Sequence, residues 1–178
     1  MRFWLACLAT MFLAACARVP ERSDGGQSLG PPVPRFVAEG RIALRQGERR
    51  DHLRFRWEHT PGSDVLLLMS PLGQGLAELV RDGAGARLLQ PQQPVIAADS
   101  LGQLAQKVFS LPLPLETVAD WLRGARPELA GEIDGWRVAI TESSVPPAGR
   151  SRLLRVMEAG RGDVEFKLIV DDWDLPNE

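Results

Sequence analysis

The side chains capable of covalent or acid–base chemistry are few and poorly grouped. Histidine occurs only at His52 and His59; the first falls on the polar side of an alternating run and the second beside a turn. Neither has the His-x-x-x-His spacing or the nearby cysteines of a zinc site, so both read as solvated surface and no metal site is assigned. Gly73-Gln74-Gly75 lacks the Gly-Lys-Ser/Thr that completes a phosphate loop, and no Gly-x-Ser-x-Gly elbow occurs. The best acidic cluster is Asp171, Asp172 and Asp174 around Trp173. Paired carboxylates at a suitable separation hydrolyse glycosides. At the end of a strand such residues more commonly form a solvated cap that blunts a sheet edge. No catalytic residue and no cofactor are assigned, and a hydrolase built on Asp171 and Asp172 stands as the alternative.

Cysteine is more informative. Arg2 precedes an apolar run from Phe3 to Phe12, which ends in Leu13-Ala14-Ala15-Cys16. One positive charge, a short apolar segment and small residues before a cut point describe a secretory signal over residues 1–15; the run is shorter than the roughly 20 residues a spanning helix needs. Leu13-Ala14-Ala15-Cys16 resembles a bacterial lipobox. The resemblance implies that the Cys16 thiol is thioether-linked to diacylglycerol, the chain is cut before it and the new amine is acylated. Cys7 lies in the removed segment, so the mature chain holds no intrachain disulfide. The sorting position after the cysteine holds Ala17, not the aspartate that tends to retain such proteins at the inner membrane, which implies the outer membrane. Residues 16–35 then form the lipidated end and a tether rich in Gly, Pro, Ser and charge. Such a segment has too little to bury to offset its ordering entropy, and as a coil it spans roughly 25 Å.

A frame must hold whatever these features serve. The 178 residues are 44% hydrophobic and 25% charged with a net charge of −2, enough for one domain with a real core over 36–178. The near-neutral balance offers no basic patch for nucleic acid. From Phe36 onward apolar and polar residues alternate, as on strands with one wet face. Leu53, Phe55 and Trp57 point one way, and His52, Arg54, Arg56 and Glu58 the other. Val65 to Met69 is apolar on both faces. Short strands are expected at about 86–90 and 94–98. Asp99 or Ser100 caps a helix with Leu101, Leu104, Ala105, Val108 and Phe109 at helical spacing. A second helix carries Leu115, Val118, Trp121 and Leu122 and stops at Gly124. Strands return at 136–141, 152–158 and 164–170. This order is a run of antiparallel strands with one helical insertion, not the alternation of a parallel sheet.

In order along the chain, Glu39-Gly40-Arg41-Ile42-Ala43, Phe55-Arg56-Trp57 and Leu66-Leu67-Leu68-Met69-Ser70-Pro71-Leu72-Gly73 resemble the first three strands of the LolB family. Leu113-Pro114-Leu115 with Trp121-Leu122-Arg123-Gly124 resembles its helices, and Leu168-Ile169-Val170-Asp171-Asp172-Trp173 its last strand. The family consists of outer-membrane receptors that accept lipoproteins from the periplasmic carrier LolA. The resemblance implies a mainly β (α+β) fold, an incomplete antiparallel β-barrel with an inserted pair of helices as a lid over an apolar cavity. It implies that the interior receives the acyl chains of client lipoproteins, which then enter the inner leaflet of the outer membrane without nucleotide hydrolysis. Expected cavity residues are Leu53, Phe55, Trp57, Leu67, Met69, Leu104, Val108, Trp121, Trp136, Val138, Ile140, Phe166 and Leu168. In this family a loop after the third strand carries a leucine at its tip and takes part in delivery. Leu72, between Pro71 and Gly73, occupies that place. A lipid-anchored sensor or assembly factor on a related half-barrel is a further alternative.

Overall fold

The computed structural model describes residues 32–109, 113–126, 129–133, 135–144 and 152–175. The signal, Cys16, Ala17 and nearly all of the tether lie outside the described residues. In chain order the elements are β1 (Phe36–Gln46), β2 (Arg49–Thr60), β3 (Ser63–Met69), β4 (Gly75–Asp82), β5 (Gly85–Leu89), β6 (Ile96–Ala98), α1 (Leu101–Phe109), α2 (Leu115–Leu122), β7 (Ala130–Ile133), β8 (Trp136–Ser143), β9 (Leu154–Arg161) and β10 (Val164–Asp174).

The strands form a single antiparallel sheet in the order β6-β5-β4-β3-β2-β1-β10-β9-β8-β7. Two meanders are thus joined where the last strand returns beside the first. Tight turns set the register. Thr60 pairs with Ser63 across Pro61-Gly62, Gly62 takes φ +93°, and the ladder counts back to Trp57 opposite Leu66 and Phe55 opposite Leu68. The sheet does not close. Its edges are β6 and β7, three and four residues long, short enough to offer little to a foreign strand. β7 is an addition to the sequence reading, because Ala130-Gly131-Glu132-Ile133 has neither alternation nor a run of β-formers.

One face of the sheet holds the core. Phe36, Phe55, Trp57, Trp121 and Trp136 are all buried there, and large apolar side chains contribute about 1.5–3 kcal/mol each by full burial. The opposite face of β1, β2, β9 and β10 is wet and paired by charge: Arg41 Nε and Nη2 donate to Asp171 at 2.9 and 2.8 Å, Arg56 to Glu39 at 2.7 Å, Lys167 to Glu158 at 2.6 Å, and Arg45 to Glu165. Exposed pairs of this kind add little to stability.

Between β1 and β10 the register slips at Glu39/Gly40, where Gly40 faces Val170 and Glu39 faces Asp172. Asp171 is therefore the extra residue of a β-bulge. The bulge switches the phase of β10, so Trp173 turns inward, meets Phe36 edge-on at 5.4 Å and donates from Nε1 to the Leu154 carbonyl at 3.1 Å. The strands crowd at this point. A Cβ on Gly40 would stand 2.0 Å from the Ile169 carbonyl oxygen and 3.0 Å from the Phe55 ring. Gly40→Ala is expected to destabilise the domain by about 1–3 kcal/mol through overpacking. Thermal denaturation followed by circular dichroism checks this; a midpoint equal to the parent's would mean that the two strands separate there at no cost.

The helices join one edge of the sheet to the other and lie across its apolar face. Ser100 Oγ accepts from the Gln103 amide at 3.2 Å and the Glu116 carboxylate from the Gly102 amide at 2.8 Å, so α2 helps to cap α1. The Lys107 ammonium reaches the Ala97 carbonyl at 2.7 Å and ties α1 to β6. α2 ends in a Schellman motif, with Gly124 at φ +75° and the Gly124 and Ala125 amides donating to Trp121 and Asp120, as the glycine there predicts.

Candidate functional site

Beneath α2 lies a crevice lined only by apolar residues. The loop and helix supply Leu113, Pro114, Leu115, Val118 and Trp121; β8, β9 and β10 supply Trp136, Val138, Met157, Ala159 and Phe166. Its free volume is only about 10 Å³, roughly what one water molecule needs. The interior expected to be a cavity is thus almost filled by its own side chains.

Of the residues expected to line a cavity, Trp121, Trp136, Val138 and Phe166 border the crevice, and most of the others belong to the core around it. Phe55, Trp57, Leu104, Trp121, Trp136, Val138 and Leu168 are buried, and Leu53, Val108, Ile140 and Phe166 are half-buried against the same core. Leu67 and Met69 are corrections. The inward residues of β3 are Leu66 and Leu68, while Leu67 stands opposite Arg56 and Met69 opposite Arg54 on the outer face. β3 is apolar on both sides, so its own pattern cannot set its phase; the turn at Pro61-Gly62 does. Leu79, Met157 and Ala159 also face inward. Met157 faces inward in regular register with Ile140 and Leu168, and Leu154 and Val156 are buried as well where β8 and β9 pair irregularly, so β9 shows no clean alternation.

A polar knot sits at the end of the interior near the start of β1. Asp64 is 1% exposed. Its Oδ1 accepts from Trp57 Nε1 at 2.9 Å and lies 2.8 Å from His59 Nδ1; its Oδ2 accepts from Arg81 Nε at 2.7 Å and again from Nη2. Burial pushes the Asp64 carboxyl upward, but hydrogen bonds from His59, Trp57 and Arg81 together outweigh it and hold the group below its ordinary value. His59 stacks on Phe36 at 5.2 Å with an 18° interplanar angle, so it is a packed core histidine rather than solvated surface. His52 stays exposed, as expected. No group of three or more His, Cys, Asp or Glu able to hold a metal occurs among the described residues.

The acidic cluster of β10 is not on an edge, since β10 lies between β1 and β9. Asp171 is engaged by Arg41, whose hydrogen bond and charge draw its pKa downward. A general acid for glycoside hydrolysis needs the opposite shift.

The turn between β3 and β4 is built around Ser70. Its carbonyl accepts from the Gly73 amide at 2.9 Å, its amide donates to the Gln74 carbonyl at 2.8 Å, and its hydroxyl accepts from the Gln74 amide at 3.2 Å. Gly73 takes φ +85°, the left-handed residue that follows a tight turn in a bulged hairpin. Pro71 and Leu72 form the tip. Leu72 is 96% exposed: it does not fold back onto its hairpin, and nothing inside the domain requires it.

The family model described as "Outer membrane lipoprotein LolB" matches residues 34–173. The chain belongs to the LolB family. An outer-membrane lipoprotein LolB from Nitrosomonas europaea is 34% identical over 152 residues, 78% of this chain and 72% of that protein. One from Azoarcus sp. is 32% identical over 185 residues, 96% of this chain and 94% of that one. A solved structure of a LolA superfamily protein from Nitrosomonas europaea overlaps 84% of this chain and 90% of its own, with a TM-score of 0.41 and 9% identity. As a LolB protein, the chain is a lipid-anchored lipoprotein of the outer membrane.

Proposed function

We propose that this LolB protein accepts acylated lipoproteins from a LolA-like periplasmic carrier and delivers them into the inner leaflet of the outer membrane, with Cys16 as its own lipid anchor. The wholly apolar crevice between α2 and β8–β10 carries the reading. A fatty acyl chain gains about 0.8 kcal/mol per buried CH₂, so a chain-sized apolar site holds cargo with no charged group and no nucleotide. Because the free volume at rest is about 10 Å³, entry of a chain requires α2 and the Leu113-Pro114 segment to withdraw. The side chains that fill the crevice then offer their surface to the cargo. Their return on release restores the core, so the closed state opposes retention and the client moves on downhill.

The direct test mixes a complex of carrier and acylated lipoprotein with a soluble form lacking Cys16. Recovery of the client on this protein is the expected result; a client that stays with the carrier rejects the assignment. Ala159→Val refines it by adding bulk to the nearly filled crevice at a cost of about 1–3 kcal/mol. This variant is expected to fold, as judged by circular dichroism, and to lose client acceptance. Undiminished acceptance would place the acyl chains elsewhere.

A further inference from the structure

α2 divides two spaces of unequal size. On one flank Leu115, Val118 and Trp121 border the apolar crevice, whose free volume is about 10 Å³. On the other, Glu116, Ala119, Asp120 and Arg123 border an open polar pocket of about 360 Å³. The far wall of this pocket is the β2–β3 turn with Pro61 and Gly62, backed by Asp64 and Arg81. At 3.6 residues per turn the two sets of α2 side chains lie on nearly opposite faces of the helix. A movement that widens one space therefore narrows the other.

We infer that the polar pocket is the clearance into which α2 shifts when an acyl chain enters the crevice. The inference rests on the crevice as the acyl site and adds the direction in which it opens, sideways within the fold rather than outward into solvent. Three features of the helix favour that direction. The first is its apolar face. Leu115, Val118, Trp121 and Leu122 are all buried, and an outward lift would carry them toward water and forfeit that burial. A sideways shift keeps them covered and exchanges their neighbours on β8–β10 for the cargo.

The second feature is the charge in the pocket. Asp64 is satisfied by Arg81 within the sheet wall and Asp120 by Arg123 within the helix wall, and no ion pair among the described residues spans the gap. Closing it breaks no such pair and brings together walls of mixed charge, without the repulsion of like charges. The third is how the two helices are supported. α1 packs on β5 and β6 and is tied to Ala97 by Lys107, whereas α2 packs chiefly on α1. Across the joint between them the Glu116 carboxylate accepts from the Gly102 amide at 2.8 Å. A Cβ on Gly102 would stand 3.2 Å from Glu116 Oε2, so the carboxylate sits close on the first turn of α1. Glu116 is exposed, and it swings into water as α2 moves.

The test uses the mature chain with Cys16→Ser and a long-chain fatty acid carrying an environment-sensitive fluorophore. Ala119→Leu fills the pocket from the helix side and Pro61→Trp from the turn side; neither residue borders the crevice. Both variants are expected to fold, as judged by circular dichroism, and to bind the probe about tenfold more weakly than the parent. The loss should also grow from Ala119→Val to Ala119→Leu, as the added volume does. A folded Ala119→Leu or Pro61→Trp that binds like the parent overturns the inference and leaves the crevice reading standing. An equal loss in Ala119→Val and Ala119→Leu overturns it too, because packing at position 119 would then matter rather than the room beside it. If the parent does not take up the probe, the crevice reading falls and this inference with it. Should Ala119→Leu fail to fold, Pro61→Trp, at an exposed turn position, decides alone.

Discussion

Leu72→Glu is expected to abolish delivery of client lipoprotein into membranes while leaving the fold and client acceptance at parental levels. The two halves of this result have separate causes. Leu72 is 96% exposed, and the turn is held by Ser70 and by the left-handed Gly73, so the substitution removes no packing and stability changes by no more than about 0.5 kcal/mol. In the membrane the side chain contributes roughly 1.5–3 kcal/mol by burial, and a carboxylate at the same place both forfeits that and adds the cost of desolvating a charge. That is too little to anchor a protein but enough to govern a transient contact. Insertion is read by flotation of a labelled client with liposomes, and acceptance by pull-down from the carrier complex. Normal flotation would remove the tip from the mechanism, and failure at the acceptance step would show that the turn serves the carrier instead.

Asp64→Ala is expected to cost about 3–5 kcal/mol, the usual penalty for removing one partner of a buried charge pair, or a fall of about 10–15 °C in Tm. The reason is what remains: the Arg81 guanidinium, the His59 ring and Trp57 Nε1 all lose an acceptor at a place where the side chain of Asp64 is 2% exposed. Asp64→Asn keeps the shape and part of the bonding and is expected to fall between. A pH dependence follows from the same knot. The folded carboxyl sits below its ordinary value of 3.8, so its stabilising contribution is complete above the unfolded value and is lost as the pH falls through the folded one. Thermal melts of the parent between pH 5 and pH 3 should therefore drop more steeply than those of Asp64→Asn. Parallel curves would mean that other carboxylates govern acid unfolding.

The parts of this fold legible in the sequence are those where one face is wet. In β2, Leu53, Phe55 and Trp57 alternate with charge, and the run from Val164 to Val170 does the same in β10; both strands lie as their patterns require. The helices were equally plain, because Leu104, Val118 and Trp121 fall at helical spacing and Gly124 marks a stop. β3 was opaque for a physical reason: with apolar residues on both faces, either phase satisfies the hydrophobic pattern. The information was still present, two residues upstream, in a turn that pairs Thr60 with Ser63 and so directs Leu66 and Leu68 inward. The bulge at Asp171 has no local signature, since it arises from the approach of Gly40 on another strand. Asp64 was hidden in the same way. A carboxylate just after a turn resembles any other polar turn residue until Trp57 and His59 on β2 and Arg81 on β4 are brought to it from either side. Leu72 was legible for the opposite reason, as an apolar residue where a turn normally shows polarity to water.

The unpaired edges β6 and β7 bear on how far the interior of this fold can open. In a closed barrel the bore is set by the strand count and the stagger, and enlarging it means breaking a full ladder of hydrogen bonds. This sheet has a seam, bridged among the described residues by α1 and α2. Its aperture is therefore governed by side-chain packing, which yields in small steps, rather than by a ladder that yields all at once. The molecule is built like a clasp with a sprung cover, and its width follows the packing beneath α1 and α2.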